Sequence, residues 1–135
     1  MAEIIELIRD PIDALVSDLG IGDGDFFIDD IWHQRYEQYE SHRPHTHGES
    51  HLGCTLYLNF IPGEHPVTRF YAPFNNFLTG NTCIHEQKVI EGDMIFFPAT
   101  VMHESPINKS TTPKKIIAMN LNVPKLVEKL RGEGL

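Results

Sequence analysis

Two histidines stand two residues apart in the stretch Pro44-His45-Thr46-His47-Gly48-Glu49-Ser50-His51, and a third, His103, follows the run Gly92-Asp93-Met94-Ile95-Phe96-Phe97-Pro98. In an extended chain an i, i+2 spacing sends both imidazoles to the same face. The second run reads as a tight turn, a buried strand, and then a loop that presents His103. Imidazole is a good ligand for divalent iron, copper, nickel or zinc, and three converging rings would fill one face of an octahedral ion. Glu49 and His51 are reserve ligands: they point the same way only if the strand stays extended past Gly48, and the glycine is expected to break that register. His33, His42, His65 and His85 sit in turns or beside charges and are expected to be solvated.

A cation accompanies these rings. Alternation along the strand Lys115–Leu121 puts Lys114 on the inward face with Ile116, Ala118 and Asn120. An unpaired buried charge costs several kcal/mol, so Lys114 calls for an anion, either a protein carboxylate or a small acidic ligand. The alternating run from Ile31 to Tyr39 places Trp32, Gln34, Tyr36 and Gln38 on one face. Trp32, Gln34, Tyr36 and Tyr57 are the candidates to line a pocket.

Positioning such a set requires many short strands. Residues 28–39, Leu52–Ile61 (closed by Pro62-Gly63), Val67–Tyr71 (stopped by Pro73), a short piece near Cys83–His85, Met94–Phe97 and Lys115–Leu121 read as strands between turn signals. Ile4, Ile5, Leu7 and Ile8 recur at helical spacing, as do Ile12, Leu15, Val16 and Leu19. Asp10-Pro11 between them reads as an N-cap with proline at the first helical position, which predicts two helices with a break. A glycine- and aspartate-rich loop spans Gly20–Asp25, and Pro124 opens a terminal helix. The expectation is a single mainly-β domain, a double-stranded β-helix (jelly-roll or cupin-like barrel) over 28–122, with a helical cover over 1–27 and a C-terminal helix over 123–135.

At 135 residues the chain is one domain with room for a real core. Its net charge of -8, with no basic cluster, argues against nucleic acid as a partner. Cys54 and Cys83 form no C-x-x-C pair and predict packed, reduced thiols. The first residues lack a basic start and no apolar run could span a bilayer, so a cytoplasmic protein without a membrane partner is expected.

From Trp32 onward the order of signals resembles the small iron(II)/2-oxoglutarate-dependent oxygenase-like proteins of bacteria and phages. The pieces are Trp32, Pro44-His45-Thr46-His47, Leu52 to Leu58, Gly92 to Pro98, His103, the tract His103 to Lys114, and Ala118-Met119-Asn120-Leu121. The resemblance implies a double-stranded β-helix binding Fe(II) and 2-oxoglutarate, with His45, His47 and His103 on the iron and Lys114 on the distal carboxylate. Its substrate would be a small molecule or a protein side chain, and a phage-encoded member would work in the host cytoplasm. Two departures stand out. The family's middle ligand is a carboxylate, here His47, and its arginine is Lys114, which cannot make the bidentate fork. The chain is also similar to cupins, some of which are three-histidine dioxygenases or isomerases that need no 2-oxoglutarate. A binding or structural module on the same barrel is the third reading, and an exposed sheet edge could support a homodimer.

Overall fold

Period-two patterning makes β8 (Lys114–Asn122) the spine of the larger sheet, because its two faces meet different cores. Ile117, Met119 and Leu121 pack outward with Cys54 and Leu56 beneath an N-terminal helix, while Ile116 and Ala118 face inward with Tyr36, Tyr57 and Phe60. The computed structural model describes residues 2–22 and 26–133. In chain order the elements are α1 (Ala2–Leu19), β1 (Phe27–Tyr36), β2 (His42–His45), β3 (Leu52–Asn59), β4 (Arg69–Asn75), β5 (Thr82–Glu86), β6 (Met94–Pro98), β7 (Met102–Ser105), β8 and α2 (Pro124–Gly132). They form two antiparallel sheets, ordered β1-β8-β3-β6 and β2-β7-β4-β5. This is the double-stranded β-helix expected, with helices at both ends. Of the loop expected over Gly20–Asp25, residues 23–25 lie outside the described residues, as do residue 1 and residues 134–135 of the helical ends. No described helix is long and apolar enough to cross a membrane.

The N-terminal cover is one helix rather than two. Pro11 sits inside α1 without ending it. A mid-helix proline costs about 3 kcal/mol. Burial of Ile8, Ile12 and Val16 against the β3/β8 face offsets this, at about 1.5–3 kcal/mol for each side chain. These three residues lie on one helical stripe that crosses the proline, so packing holds both halves in line. Pro73 likewise does not stop β4, which continues to Asn75. The β4–β5 register is irregular between Tyr71 and Asn75, and a proline that donates nothing fits such an irregularity. Two short strands, β2 and β7, were not visible in the apolar pattern, and His103 lies on β7 rather than on a loop.

Gly53 has a steric role. It pairs with Phe97 across β3 and β6, and a Cβ there would meet the Phe97 ring carbons at 2.5 and 2.7 Å. The ring therefore lies flat over a position that tolerates no side chain. Gly53→Ala is expected to lose roughly 1–3 kcal/mol of stability in urea unfolding, and Phe97→Leu in the same chain should recover part of it. Additive losses in that double mutant would show that the two positions do not clash.

Candidate metal centre

Strand pairing brings the first two rings together. His45 on β2 lies directly opposite His103 on β7, a cross-strand position where side chains on one face touch. His47 stands two residues on, just past the end of β2. Its N–H donates to the Ala99 carbonyl at 2.8 Å, and the Ala99 N–H donates to the His51 carbonyl at 3.0 Å. These two bonds clip the segment after β2 onto the loop between β6 and β7, with Ala99 fully buried. One ring nitrogen from each of His45, His47 and His103 falls within 4.8 Å of the other two. The rings of His47 and His103 stack with centroids 4.9 Å apart, and their Nε2 atoms are 3.0 Å apart.

The other nitrogen of each ring is anchored. His45 Nδ1 donates to the Arg43 carbonyl at 2.7 Å and His103 Nδ1 to the Val101 carbonyl at 2.9 Å, while His47 Nδ1 bonds the Asn120 side-chain oxygen. A carbonyl oxygen can only accept, so each Nδ1 carries the proton and each Nε2 presents a lone pair. Bonds of this kind fix the tautomer and orientation of metal-binding histidines. Two nitrogens at about 2.1 Å from one ion and at right angles are about 3.0 Å apart, which is the His47–His103 separation. Facing lone pairs at that distance need a shared proton or a cation between them. The donor set therefore fits a divalent transition metal. Asn120→Ala is expected to weaken metal affinity roughly 10–100-fold through loss of the His47 anchor, measured by competition against a chromophoric chelator.

Burial favours the ligating form. It holds His103 down to about 4, with help from the neighbouring His45 and His47. His47 is also held below the usual histidine range, mainly by burial. Aromatic walls supply the low dielectric. Trp32 stacks on His47 with centroids 5.9 Å apart, and Phe97 lies 4.6 Å from His103 and 6.0 Å from His47.

Lys114 points into the same barrel and is 1% exposed. Its Nζ donates to Ser105 Oγ at 2.5 Å and the Pro66 carbonyl at 3.0 Å, and it lies 4.5 Å from the Tyr36 ring centroid. No carboxylate pairs with it among the described residues. Burial alone pushes the ammonium down to about 8. Of the two anions foreseen from the sequence, the protein carboxylate is not there. The cavity between Lys114's partner Ser105 and the histidines is about 30 Å3, room for about two waters.

The register break expected at Gly48 is present. His51 turns away and its Nδ1 accepts from the Val123 N–H at 2.8 Å, while Glu49 is exposed beyond Gly48, whose φ of 56° reverses the chain. Neither belongs to the cluster. His65 is buried rather than solvated, accepting from the Ile61 N–H and donating to the Thr112 carbonyl. His42 is half-buried, lines the cavity and stacks on His45 at 4.2 Å. Three residues apart, the two rings would take opposite faces of a regular strand; an extra residue in β2 brings them together, since His42 pairs with Ser105 and His45 with His103. His33 and His85 are exposed, as expected. Trp32 and Tyr36 line the cavity, whereas Gln34 and Tyr57 do not. Tyr57 is fully buried and bonds the Thr68 hydroxyl at 2.9 Å. Sequence reading missed His42, Ser105 and the anchoring role of Asn120. The inward parity Asn120 shares with Lys114 was the available signal for the last.

No family model matches the sequence, and no curated protein does. Solved structures do. A prolyl-4-hydroxylase from Pseudomonas putida aligns at 18% identity and TM-score 0.59, over 85% of this chain and 61% of its own. The non-heme alpha-ketoglutarate-dependent epimerase SnoN of nogalamycin biosynthesis aligns at 14% and 0.68, over 88% and 55%. A 2OG-Fe(II) oxygenase family oxidoreductase from Burkholderia pseudomallei aligns at 10% and 0.56, over 75% and 47%. The chain shares their double-stranded β-helix fold. It spans about half to three-fifths of their lengths.

Proposed function

We propose that the protein is an iron(II)- and 2-oxoglutarate-dependent oxygenase of the hydroxylase type, acting on a small molecule or a protein side chain. The observation that carries this reading is the convergence of one ring nitrogen from each of three histidines whose Nδ1 atoms are all held by carbonyls. His45, His47 and His103 would hold the metal on one face and leave the opposite face for small ligands. Iron bound there supplies dioxygen activation and the oxidising equivalents. The chain's own part is orientation and dryness. Trp32 and Phe97 shield the rings from water, Asn120 keeps His47 in its ligating tautomer, and Lys114 offers a buried charge for an acidic co-substrate.

All three ligands are neutral, so the site places more net positive charge at the ion than a set containing a carboxylate. That favours an anionic chelator such as the 2-oxo acid end of 2-oxoglutarate. Glu104, the acid nearest the cavity, is already engaged by the Tyr71 hydroxyl at 2.5 Å and Arg69 at 3.3 Å. Titrating 2-oxoglutarate into anaerobic, iron-loaded protein tests the reading. A weak visible charge-transfer band is expected. Iron bound without that band would defeat it.

The narrow cavity favours a second reading. At about 30 Å3 it admits a five-carbon diacid only after lining side chains swing aside. A cupin-type dioxygenase or isomerase that does not use 2-oxoglutarate would have one fewer organic molecule to seat beside the ion.

A further inference from the structure

We propose that the groove between β5 and β6 is the substrate subsite of this centre, and that it takes a compact ring or branched apolar group with one polar substituent. This rests on the reading of the three histidines as a metal centre. β5 and β6 are the terminal strands of their sheets on the same flank, so the sandwich opens between them. The groove is about 400 Å3, within the range of small-molecule sites. Phe70, Ile95, Pro98 and Val101 supply an apolar floor, and His85 and Gln87 supply polar groups at its rim.

Three observations tie the groove to the ion site. First, Phe97 lines both spaces, and its ring lies against His103 on one side and Phe70, centroid 4.9 Å away, on the other. Second, the ring cannot retreat toward β3, since Gly53 places backbone directly beneath it. Held between His103, Phe70 and that backbone, the ring is a fixed wall shared by groove and histidines, which makes it a positioning residue for whatever enters. Third, the histidine cavity is too small for a carbon substrate, so the reacting group must come from an adjoining space. A larger hollow of about 520 Å3, lined by Ile4, Leu7, Leu58 and Ile117, lies on the α1 side of the larger sheet and shares only Trp32 with the cavity lining, and one of about 400 Å3 beside Ile21 and Lys129 shares none of it. An apolar floor with no lysine, arginine or acidic side chain in its lining disfavours charged sugars and phosphates, because burying their charge here finds little compensation.

The test uses p-cresol as probe and the full chain loaded with Zn(II), with metal affinity measured separately by chelator competition. Saturable shifts of the Ile95 and Val101 methyl signals are expected, at least tenfold weaker in Gln87→Trp, whose indole closes the rim and whose metal affinity should not change. Replacing Zn(II) with paramagnetic Mn(II) should broaden the p-cresol lines. Shifts elsewhere, or none up to the probe's solubility, overturn the groove as a binding site. Shifts without broadening in Mn(II)-loaded protein overturn its link to the ion while leaving the histidine site standing. Failure of the metal to bind at all, seen in the competition alone, overturns both.

Discussion

Alanine at His103 is expected to weaken metal binding by roughly 100-fold or more. Loss of an outer-shell anchor alone costs about 10–100-fold, and here a direct ligand goes. His103 is also the most buried of the three rings, facing His45 across β2 and β7 and stacking on His47. Without it, two imidazoles remain at the end of one edge strand and a three-point face becomes two. Trp32 is the only tryptophan in the chain and stacks on His47, so quenching of its fluorescence by Ni(II) reads occupancy directly. His33→Ala, at an exposed position on β1, is the control and should follow the unchanged isotherm. A His103→Ala protein that quenches at the same Ni(II) concentration as the parent would remove the three-histidine site from consideration.

The second large effect is electrostatic and depends on pH. Lys114 is held down to about 8 in the folded chain against 10.5 for the free side chain, because of burial. Between those two values the unfolded chain binds more protons, so this group's contribution to stability rises with pH across that window. The whole shift amounts to about 3 kcal/mol, from 2.5 pH units at about 1.36 kcal/mol each. Tyr36 and Cys54 act in the opposite sense, since burial holds both up to about 12; they retain protons the unfolded chain loses at high pH. Comparison with Lys114→Met isolates the lysine. At neutral pH the ranking of the two proteins is close, because methionine leaves Ser105 and the Pro66 carbonyl without a donor, at about 1–3 kcal/mol each. The slope is not close. From pH 7 to 9.5 the parent should gain about 2 kcal/mol on the variant in urea unfolding, from the 1.5 units above pH 8. An acidic ligand paired with the ammonium should stabilise the parent below pH 8, lose that effect above it, and do nothing for the variant. Parallel pH profiles for the two proteins would mean that Lys114 is not desolvated.

Parity along strands carried most of what could be read in advance. The i, i+2 histidines and the inward set Lys114, Ile116, Ala118 and Asn120 follow from a two-residue period, which survives any uncertainty about pairing. The proline in α1 misled because local preference and packing disagree there: Asp10-Pro11 looks like a start signal, and Ile8, Ile12 and Val16 outweigh it only once β3 and β8 lie beneath them. His42 was hidden for a different reason. Its place in the cavity depends on an extra residue in β2, and a register shift is a property of two strands that neither one's sequence displays. The same holds for Gly53, which reads as a weak strand residue until Phe97 is known to lie across it. His65 appeared beside a glutamate and a proline, yet its two ring bonds tie the chain after β3 to the segment entering β8.

The three imidazole anchors differ in kind. Two are main-chain carbonyls, each two residues upstream of its own histidine, and so persist whatever side chains occupy positions 43 and 101. Only the third, at Asn120, is an amide that a codon change can replace. Any heritable adjustment of ligand basicity through these contacts, and with it of the redox potential of a bound ion, is thus channelled through one position on the central strand.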